Sequence, residues 1–234
     1  MNSIPDICHT FYINLNARTD RKQHVENQLN NIGINNAQRF SAIKLPNGNG
    51  ALGCSFSHLK LLEMAKKKNF PHILIVEDDI LFTDVSVFIK QFNAFLSNHK
   101  LFDVALISGN NIPPYFTIDD TCVKVTRCQT TTGYLVQNHY FDTLIRNFRE
   151  GIKKLMLEPH NHIMYAIDKY WFRLQKEDNW YLIVPLTVTQ REDYSDIEKK
   201  NTNYSKLMLD LDKIEFYKRQ KDQQVKVNLG KLKF

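Results

Sequence analysis

The chain has 234 residues, of which 43% are hydrophobic, 12% aromatic and 24% charged, and this composition excludes a disordered protein. Its formal net charge of +6 is concentrated at the C-terminus. Residues 198–234 hold 10 Lys and Arg against 5 Asp and Glu, whereas residues 1–197 hold 21 against 20. A nearly neutral body argues against a nucleic-acid-binding fold, which needs a cationic face. The basic tail is compatible with peripheral contact to a membrane or with an acidic partner.

Targeting and redox features are few. No window approaches the run of about 18 apolar residues that a membrane span needs. The N-terminus lacks a basic region followed by an apolar one, so no secretory signal is expected and we expect a cytoplasmic protein. The four cysteines form no CxxC pair, which favours free thiols in a reducing compartment over a zinc site.

Apolar runs and helical periodicities alternate along the first half of the chain. Strands are predicted at 10–15, 38–43, 72–76 and 103–108, and helices are predicted around 20–32, 52–66 and 85–96. This alternation predicts an α/β fold with a mainly parallel central sheet. Beyond Gly109 the pattern is less regular, with strands predicted at 123–128, 133–138 and 181–184 and helices at 139–149, 161–175 and 204–225.

The domain organisation follows from this pattern and from the charge distribution. We expect one domain over residues 1–197. Residues 198–234 are predicted to form a basic, helical C-terminal extension that packs on the domain or trails from it.

The most informative local feature is a run of three acids, Glu77, Asp78 and Asp79, directly after an apolar strand. In open α/β sheets, ligands bind at the carboxyl ends of the strands. Side chains alternate along an extended segment, so Glu77 and Asp79 are expected to point one way and Asp78 the other. Converging carboxylates suit Mg²⁺ or Mn²⁺. The alternative is a helix-capping cluster or a solvated turn.

Two arginines follow the first predicted strand. Arg18 and Arg21 stand at a strand–helix junction near the same sheet edge, and guanidinium groups suit bidentate contact with phosphate. A solvated first helical turn is the alternative. The chain contains neither GxxxxGK[ST] nor GxGxxG, so a P-loop or a Rossmann fingerprint does not explain phosphate binding.

Five segments together resemble glycosyltransferase family 25. They are FYINLNARTDRK (11–22), RFSAI (39–43), GALGCSFSHLKLL (50–62), ILIVEDDILF (73–82) and a closing P…Q…SDI pattern (185–197). The resemblance covers roughly residues 10–197, and the basic tail lies outside it. It implies a GT-A fold and the inverting transfer of a sugar, usually galactose, from a UDP-sugar with Mn²⁺.

The resemblance also implies roles for particular residues. Glu77-Asp78-Asp79 stands where the DxD-type motif belongs, with Asp79 as the main metal ligand and Glu77 as a second one. Nucleotide and donor contacts are assigned to Asn14, Arg18, Arg21, Ser57, Glu77, Asp78, Thr132 and Gly133. His58 is either a core histidine or a ligand contact. A plain strand start is the alternative for Thr132 and Gly133.

The expected general base is Asp168, which lies in an otherwise apolar stretch where the family carries an Asp. The alternative is a surface Asp paired with Lys169. A third metal ligand from the C-terminal part is left open among His160, His162, Gln190 and Asp196. Two histidines alone are too few for a zinc site.

The predicted function is therefore a metal-dependent (Mn²⁺ or Mg²⁺), inverting glycosyltransferase. It is expected to move a hexose, preferentially galactose, from a UDP-sugar to a hydroxyl of a glycan, a glycoprotein or a hydroxylysine-type acceptor. Three alternatives stay open: a non-catalytic nucleotide-sugar-binding module, a sugar nucleotidyltransferase, and a scaffold that binds membranes or polyanions through its tail.

Overall fold

The secondary structure follows the predicted alternation closely. The computed structural model describes residues 1–46, 48–195, 200–213 and 217–218. The strands are β1 Thr10–Asn14, β2 Gln38–Ser41, β3 His72–Glu77, β4 Ile80–Phe82, β5 Val104–Leu106, β6 Asn110–Asn111, β7 Tyr115–Thr117, β8 Cys122–Val125, β9 Cys128–Gln129, β10 Gly133–Gln137, β11 Trp180–Ile183, β12 Val188–Gln190, β13 Asp193–Ser195 and β14 Lys200–Thr202. The helices are α1 Thr19–Asn31, α2 Gly50–Lys67, α3 Val85–Asn98, α4 Phe141–Leu157, α5 His162–Tyr165, α6 Ile167–Tyr170, α7 Phe172–Glu177 and α8 Ser205–Met208.

A mixed sheet of eight strands organises the described chain, in the order β2-β1-β3-β10-β5-β11-β8-β7. Its pairings make six strands run in one direction and only β8 and β10 in the other. Three two-stranded ribbons, β4–β12, β6–β9 and β13–β14, flank it. The prediction of an α/β fold with a mainly parallel central sheet is confirmed.

Helices cover both faces of the sheet. Side chains alternate along each strand, so successive residues of a strand point into opposite cores. On β3, Ile73 and Ile75 point into a core that includes apolar residues of α2 and α4. Leu74 and Val76 point into a second core that includes residues of α1 and α3. All four side chains are fully buried, which explains the uninterrupted apolar run before the acids.

Helix ends follow local signals in the sequence. The apolar stripe predicted for α1 is buried, and Gly33, just beyond it, has a φ of +85°, a conformation that favours glycine. Asn49 caps α2, since its side-chain oxygen accepts a hydrogen bond from the Leu52 amide at 3.0 Å.

Two helix predictions differ from the structure. The single helix expected over 161–175 is three short helices, α5 to α7. Ala166 adopts φ −56° and ψ 144°, which interrupts the helical backbone between α5 and α6, and Trp171 separates α6 from α7. The helix expected over 204–225 starts correctly, but α8 ends at Met208 and residues 209–213 are not helical. Residues 214–216 and 219–234 lie outside the described residues.

The described part of the C-terminal extension packs on the domain. Met208 is fully buried, and its sulfur lies 3.6 Å from the Thr189 hydroxyl of β12. The strand β14 pairs with β13. The boundary between residues 197 and 198 stays a prediction. Among the described residues, no helix combines the length and apolarity that crossing a bilayer would require.

Gly133 at the start of β10 lies against the core, and a substitution there tests this packing. A Cβ atom at this position would lie 2.7 Å from Ile107 Cγ1, closer than two carbons can approach. We therefore expect Gly133→Ala to lower the free energy of unfolding by about 1–3 kcal/mol, measured by denaturant titration. The double variant Gly133→Ala/Ile107→Ala removes the clash, so its cost should be smaller than the sum of the single costs. Additive costs would contradict this account.

Candidate functional site

A cleft of about 490 Å³ opens at the carboxyl ends of β1, β2 and β3. The antiparallel strand β10 begins at the same edge, since Gly133 pairs with Val76. Helices α2, α5 and α6, the end of β12 and the C-terminal residues Tyr204 and Leu207 complete the wall. This is the sheet edge where open α/β folds bind ligands.

The three acids all line this cleft. Glu77 is the last residue of β3, and the chain turns through Asp78 and Asp79 before β4 begins. The alternation expected for an extended segment therefore does not hold. Instead, Asp78 Oδ1 and Asp79 Oδ2 both accept hydrogen bonds from Arg21 Nη1, at 3.1 and 3.4 Å.

Asp79 has the least satisfied carboxylate of the three. Its Oδ1 atom is buried and has no hydrogen-bond partner among the described residues. Burial and repulsion by Glu77 and Asp78 raise the pKa of Asp79 to about 8, although the Arg21 charge opposes them. A desolvated carboxylate oxygen without a donor is suited to a divalent cation, so the residues present fit Mn²⁺ or Mg²⁺.

Glu77 is held by neutral and basic donors instead. Its Oε1 accepts the Thr131 hydroxyl at 2.7 Å and lies 3.3 Å from His58 Nε2. Burial alone would raise the pKa of Glu77, but these contacts and the His58 charge outweigh it and hold the pKa below 4.5. His58 is itself buried, with Nδ1 2.8 Å from the Tyr134 hydroxyl. It is thus both a core histidine and a support for the acidic motif.

Other metal-ligating atoms lie close to Glu77. The ligand atoms of Cys54, His58 and Glu77 lie within 4.8 Å of one another. Gln190 lines the cleft and donates to Glu77 Oε2 at 3.4 Å.

Of the remaining predicted ligands, His162 lines the cleft, whereas His160 does not. Asp196 lies outside the described residues.

Arg18 and Arg21 line the cleft, as expected of nucleotide contacts. Asn14 instead lies behind the wall and is buried. Its amide nitrogen donates to Asp78 Oδ2 at 2.7 Å and its oxygen accepts from Arg39 at 2.9 Å. The structure therefore places Asn14 where it positions Asp78.

The threonine segment reaches the cleft through Thr130 and Thr131. Thr132 is fully buried, and Gly133 lies under Ile107. Thr130 has a φ of +81°, a strained conformation for a β-branched residue. Strain of this kind persists only where the surroundings enforce it.

Asp168 supplies that restraint. Its Oδ2 accepts the Thr130 amide at 3.1 Å and forms an ion pair with Lys169 Nζ at 3.5 Å. The side chain lines the cleft, so it faces the site and also pairs with its neighbour. Ser57, also at the cleft wall, is buried and accepts the Ile43 amide at 2.9 Å, which ties the β2–α2 loop to α2.

Sequence reasoning missed three polar side chains of the site. Asn110 lines the cleft, is buried and has an unpartnered Oδ1 among the described residues. Arg191 follows β12 in the wall, and Asp193 beside it pairs with Arg18, Arg21 and Arg191. These three residues carry no local motif, and only long-range contacts bring them to the acidic run.

The raised pKa of Asp79 predicts a stabilising substitution. Because the folded chain binds a proton at Asp79 up to a pH of about 8 and the unfolded chain only to 3.8, stability falls as pH rises through that window. Asp79→Asn should therefore raise the melting temperature of the metal-free protein by a few degrees at about pH 8.5, and by less at about pH 5. Asp84→Ala, which removes the side-chain acceptor that caps α3, should lower it at both pH values. A destabilised Asp79→Asn chain at the higher pH would contradict this account.

Comparison with solved structures finds distant similarities. The chain is similar to A197 from STIV at 13% identity and a TM-score of 0.46, covering 82% of this chain and 92% of that one. It is similar to a glycosyltransferase involved in the glycosylation of the major capsid of PBCV-1 at 10% identity and a TM-score of 0.45, covering 74% and 80%. At these identities and TM-scores, neither similarity bears on the activity. A search of curated protein sequences finds no match.

The family comparison is decisive. The model described as "Glycosyltransferase family 25 (LPS biosynthesis protein)" matches residues 46–171, more than half of the chain. The matched range contains the acidic motif, Asp168 and most of the cleft wall. It also confirms the resemblance identified from the sequence segments. The chain belongs to glycosyltransferase family 25, and its role is glycosyl transfer.

Proposed function

We propose that this chain is a metal-dependent, inverting glycosyltransferase that moves a hexose, preferentially galactose, from a UDP-sugar to a hydroxyl of a glycan, a glycoprotein or a hydroxylysine-type acceptor. The observation that carries the proposal is that one cleft holds three kinds of group: a buried carboxylate oxygen that no described residue satisfies, arginine side chains, and a further carboxylate, Asp168. A nucleotide-sugar transferase needs these groups to hold a cation, bind a diphosphate and remove a proton.

The metal is assigned to Asp79, with Glu77 as the second ligand. Mn²⁺ or Mg²⁺ bound there supplies Lewis-acid neutralisation of the leaving diphosphate. Asp79 Oδ1 supports this assignment because no donor in the described part of the chain satisfies it. His58 and Thr131 hold Glu77 ionised, which keeps its carboxylate available as a ligand.

Proton transfer is assigned to Asp168. One of its oxygens is held by the Thr130 amide, which fixes the carboxylate relative to the strained turn. A positioned carboxylate can accept the proton of an acceptor hydroxyl as that oxygen attacks the anomeric carbon. The attack breaks the bond between the sugar and the diphosphate, and nucleoside diphosphate leaves.

A donor screen tests the proposal as a whole. We expect the full chain to release UDP from at least one UDP-sugar in the presence of Mn²⁺ and an acceptor glycan, and to stop when EDTA is added. Release of pyrophosphate from UTP and a sugar phosphate would instead identify a nucleotidyltransferase. UDP binding without turnover would identify a binding module, and absence of both would contradict any UDP-sugar chemistry.

Two substitutions separate the metal ligand from the base. Asp79→Ala should lower kcat/KM by about 100-fold or more, because the diphosphate loses its cation. Asp168→Asn keeps an oxygen for the Thr130 amide, so it should lower kcat by about 10²–10⁴-fold while the donor Kd stays unchanged. Asp142→Asn, at the exposed start of α4, is the matched control and should leave kcat/KM, kcat and the donor Kd unchanged. Equal loss of donor binding in both cleft variants would overturn the assignment of the base.

A further inference from the structure

One carboxylate oxygen beside the cleft contacts three guanidinium groups. Asp193 Oδ2 lies 2.7 Å from Arg18 Nη2 and 3.1 Å from Arg21 Nε. Arg191 Nη2 lies 3.4 Å from the same oxygen. We call Arg18, Arg21 and Arg191 the arginine nest. Three guanidiniums around a single oxygen resemble the surroundings of a phosphate oxygen, for which arginine is especially suited.

The next residue adds a second oxygen to the same place. The backbone carbonyl of Tyr194 accepts a hydrogen bond from Arg21 Nη2 at 2.9 Å and one from Arg18 Nη1 at 3.5 Å. The Asp193 carboxylate and the Tyr194 carbonyl, from consecutive residues, therefore both accept hydrogen bonds from the guanidiniums of Arg18 and Arg21. A diphosphate would present two acceptor groups to these donors in the same way, with a negative charge on each.

The nest is joined directly to the acidic motif. Arg21 Nη1 contacts Asp78 Oδ1 at 3.1 Å and Asp79 Oδ2 at 3.4 Å. The Arg191 amide donates to the Asp79 backbone oxygen at 2.8 Å. An anion in the nest would therefore lie beside the carboxylates to which the cation is assigned.

Asp193 is held strongly as an anion. Burial would raise its pKa, but the Tyr194 amide and the Arg21 and Arg18 guanidiniums outweigh burial and hold the pKa below 3.8. The nest thus keeps a negative charge in place in the ligand-free chain.

We propose that the arginine nest is the subsite for the diphosphate group of the donor, and that Asp193 occupies it until the donor displaces it. The proposal rests on the proposed function for the identity of the donor, although the anion class follows from the nest itself. Asp193 then acts as an intramolecular competitor that lowers the apparent affinity for any anion. A diphosphate, with two charged groups, overcomes this competition better than orthophosphate does.

Calorimetric titration of inorganic pyrophosphate into the full chain, in EDTA and without nucleotide, tests the exchange. Asp193→Asn should bind pyrophosphate about 10-fold or more tightly than the native chain. Asp142→Asn is the matched control, because exposed Asp142 pairs with Lys66 and with none of the three arginines, and it should change the Kd by less than about 2-fold. Unchanged or weaker pyrophosphate binding by a folded Asp193→Asn chain would overturn the proposal.

A second variant covers the case in which Asp193→Asn does not fold. Arg191→Ala removes one arm of the nest and should weaken pyrophosphate binding about 10-fold in an otherwise native chain. A folded Arg191→Ala chain that binds as tightly as the native one would also overturn the proposal.

These titrations use neither metal nor sugar, so they are independent of turnover. A chain that turns over UDP-sugars but fails the pyrophosphate test loses only this inference. A chain that passes it but releases no UDP loses only the proposed function.

Discussion

Three carboxylates placed directly after a buried strand are the constraint on which the rest of the site depends. Three carboxylates this close together cannot all be ionised in a desolvated environment unless partners compensate their charges. Each of the three acids is compensated differently. Glu77 is held by His58 and neighbouring hydroxyl and amide groups, whereas Asp78 pairs with Arg21, although burial still raises the pKa of Asp78. Asp79 keeps an oxygen that no described residue satisfies. The fold therefore carries an electrostatic cost at one position, of the kind that functional sites retain because a ligand relieves it.

Arg21 connects this constraint to the rest of the cleft. Arg21 lies in the first turn of α1, and its guanidinium contacts both Asp78, in the acidic turn after β3, and Asp193. A single guanidinium thus joins segments more than 170 positions apart along the chain, which explains why it is buried although it is charged. Because Arg21 is shared between carboxylates and the proposed anion subsite, a change in the charge of either partner alters the field at the other.

The sequence predicted those strands and helices whose formation depends on a local pattern of apolar residues. The apolar run of β3 and the stripe of α1 identified both, and the strand end located Glu77, Asp78 and Asp79 at the sheet edge where the cleft opens. The break at Ala166 was missed, because alanine favours helix and only tertiary packing places it in an extended conformation. Arg191, Asp193 and Asn110 were missed for a related reason: their partners are distant in sequence, and no periodicity records such contacts.

The seating of Met208 beneath β12 has a thermodynamic consequence. Tyr204 and Leu207 belong to the cleft wall. The segment that carries them is held to the domain by buried Met208, by a short ribbon, and by hydrogen bonds from Asn111 and Tyr115 to the residues that follow α8. Local opening of the segment would remove part of the wall while the central sheet stays folded. Ligand occupancy of the cleft and amide-exchange protection of residues 204–208 are then linked quantities, so that a ligand bound in the cleft would slow exchange throughout this segment.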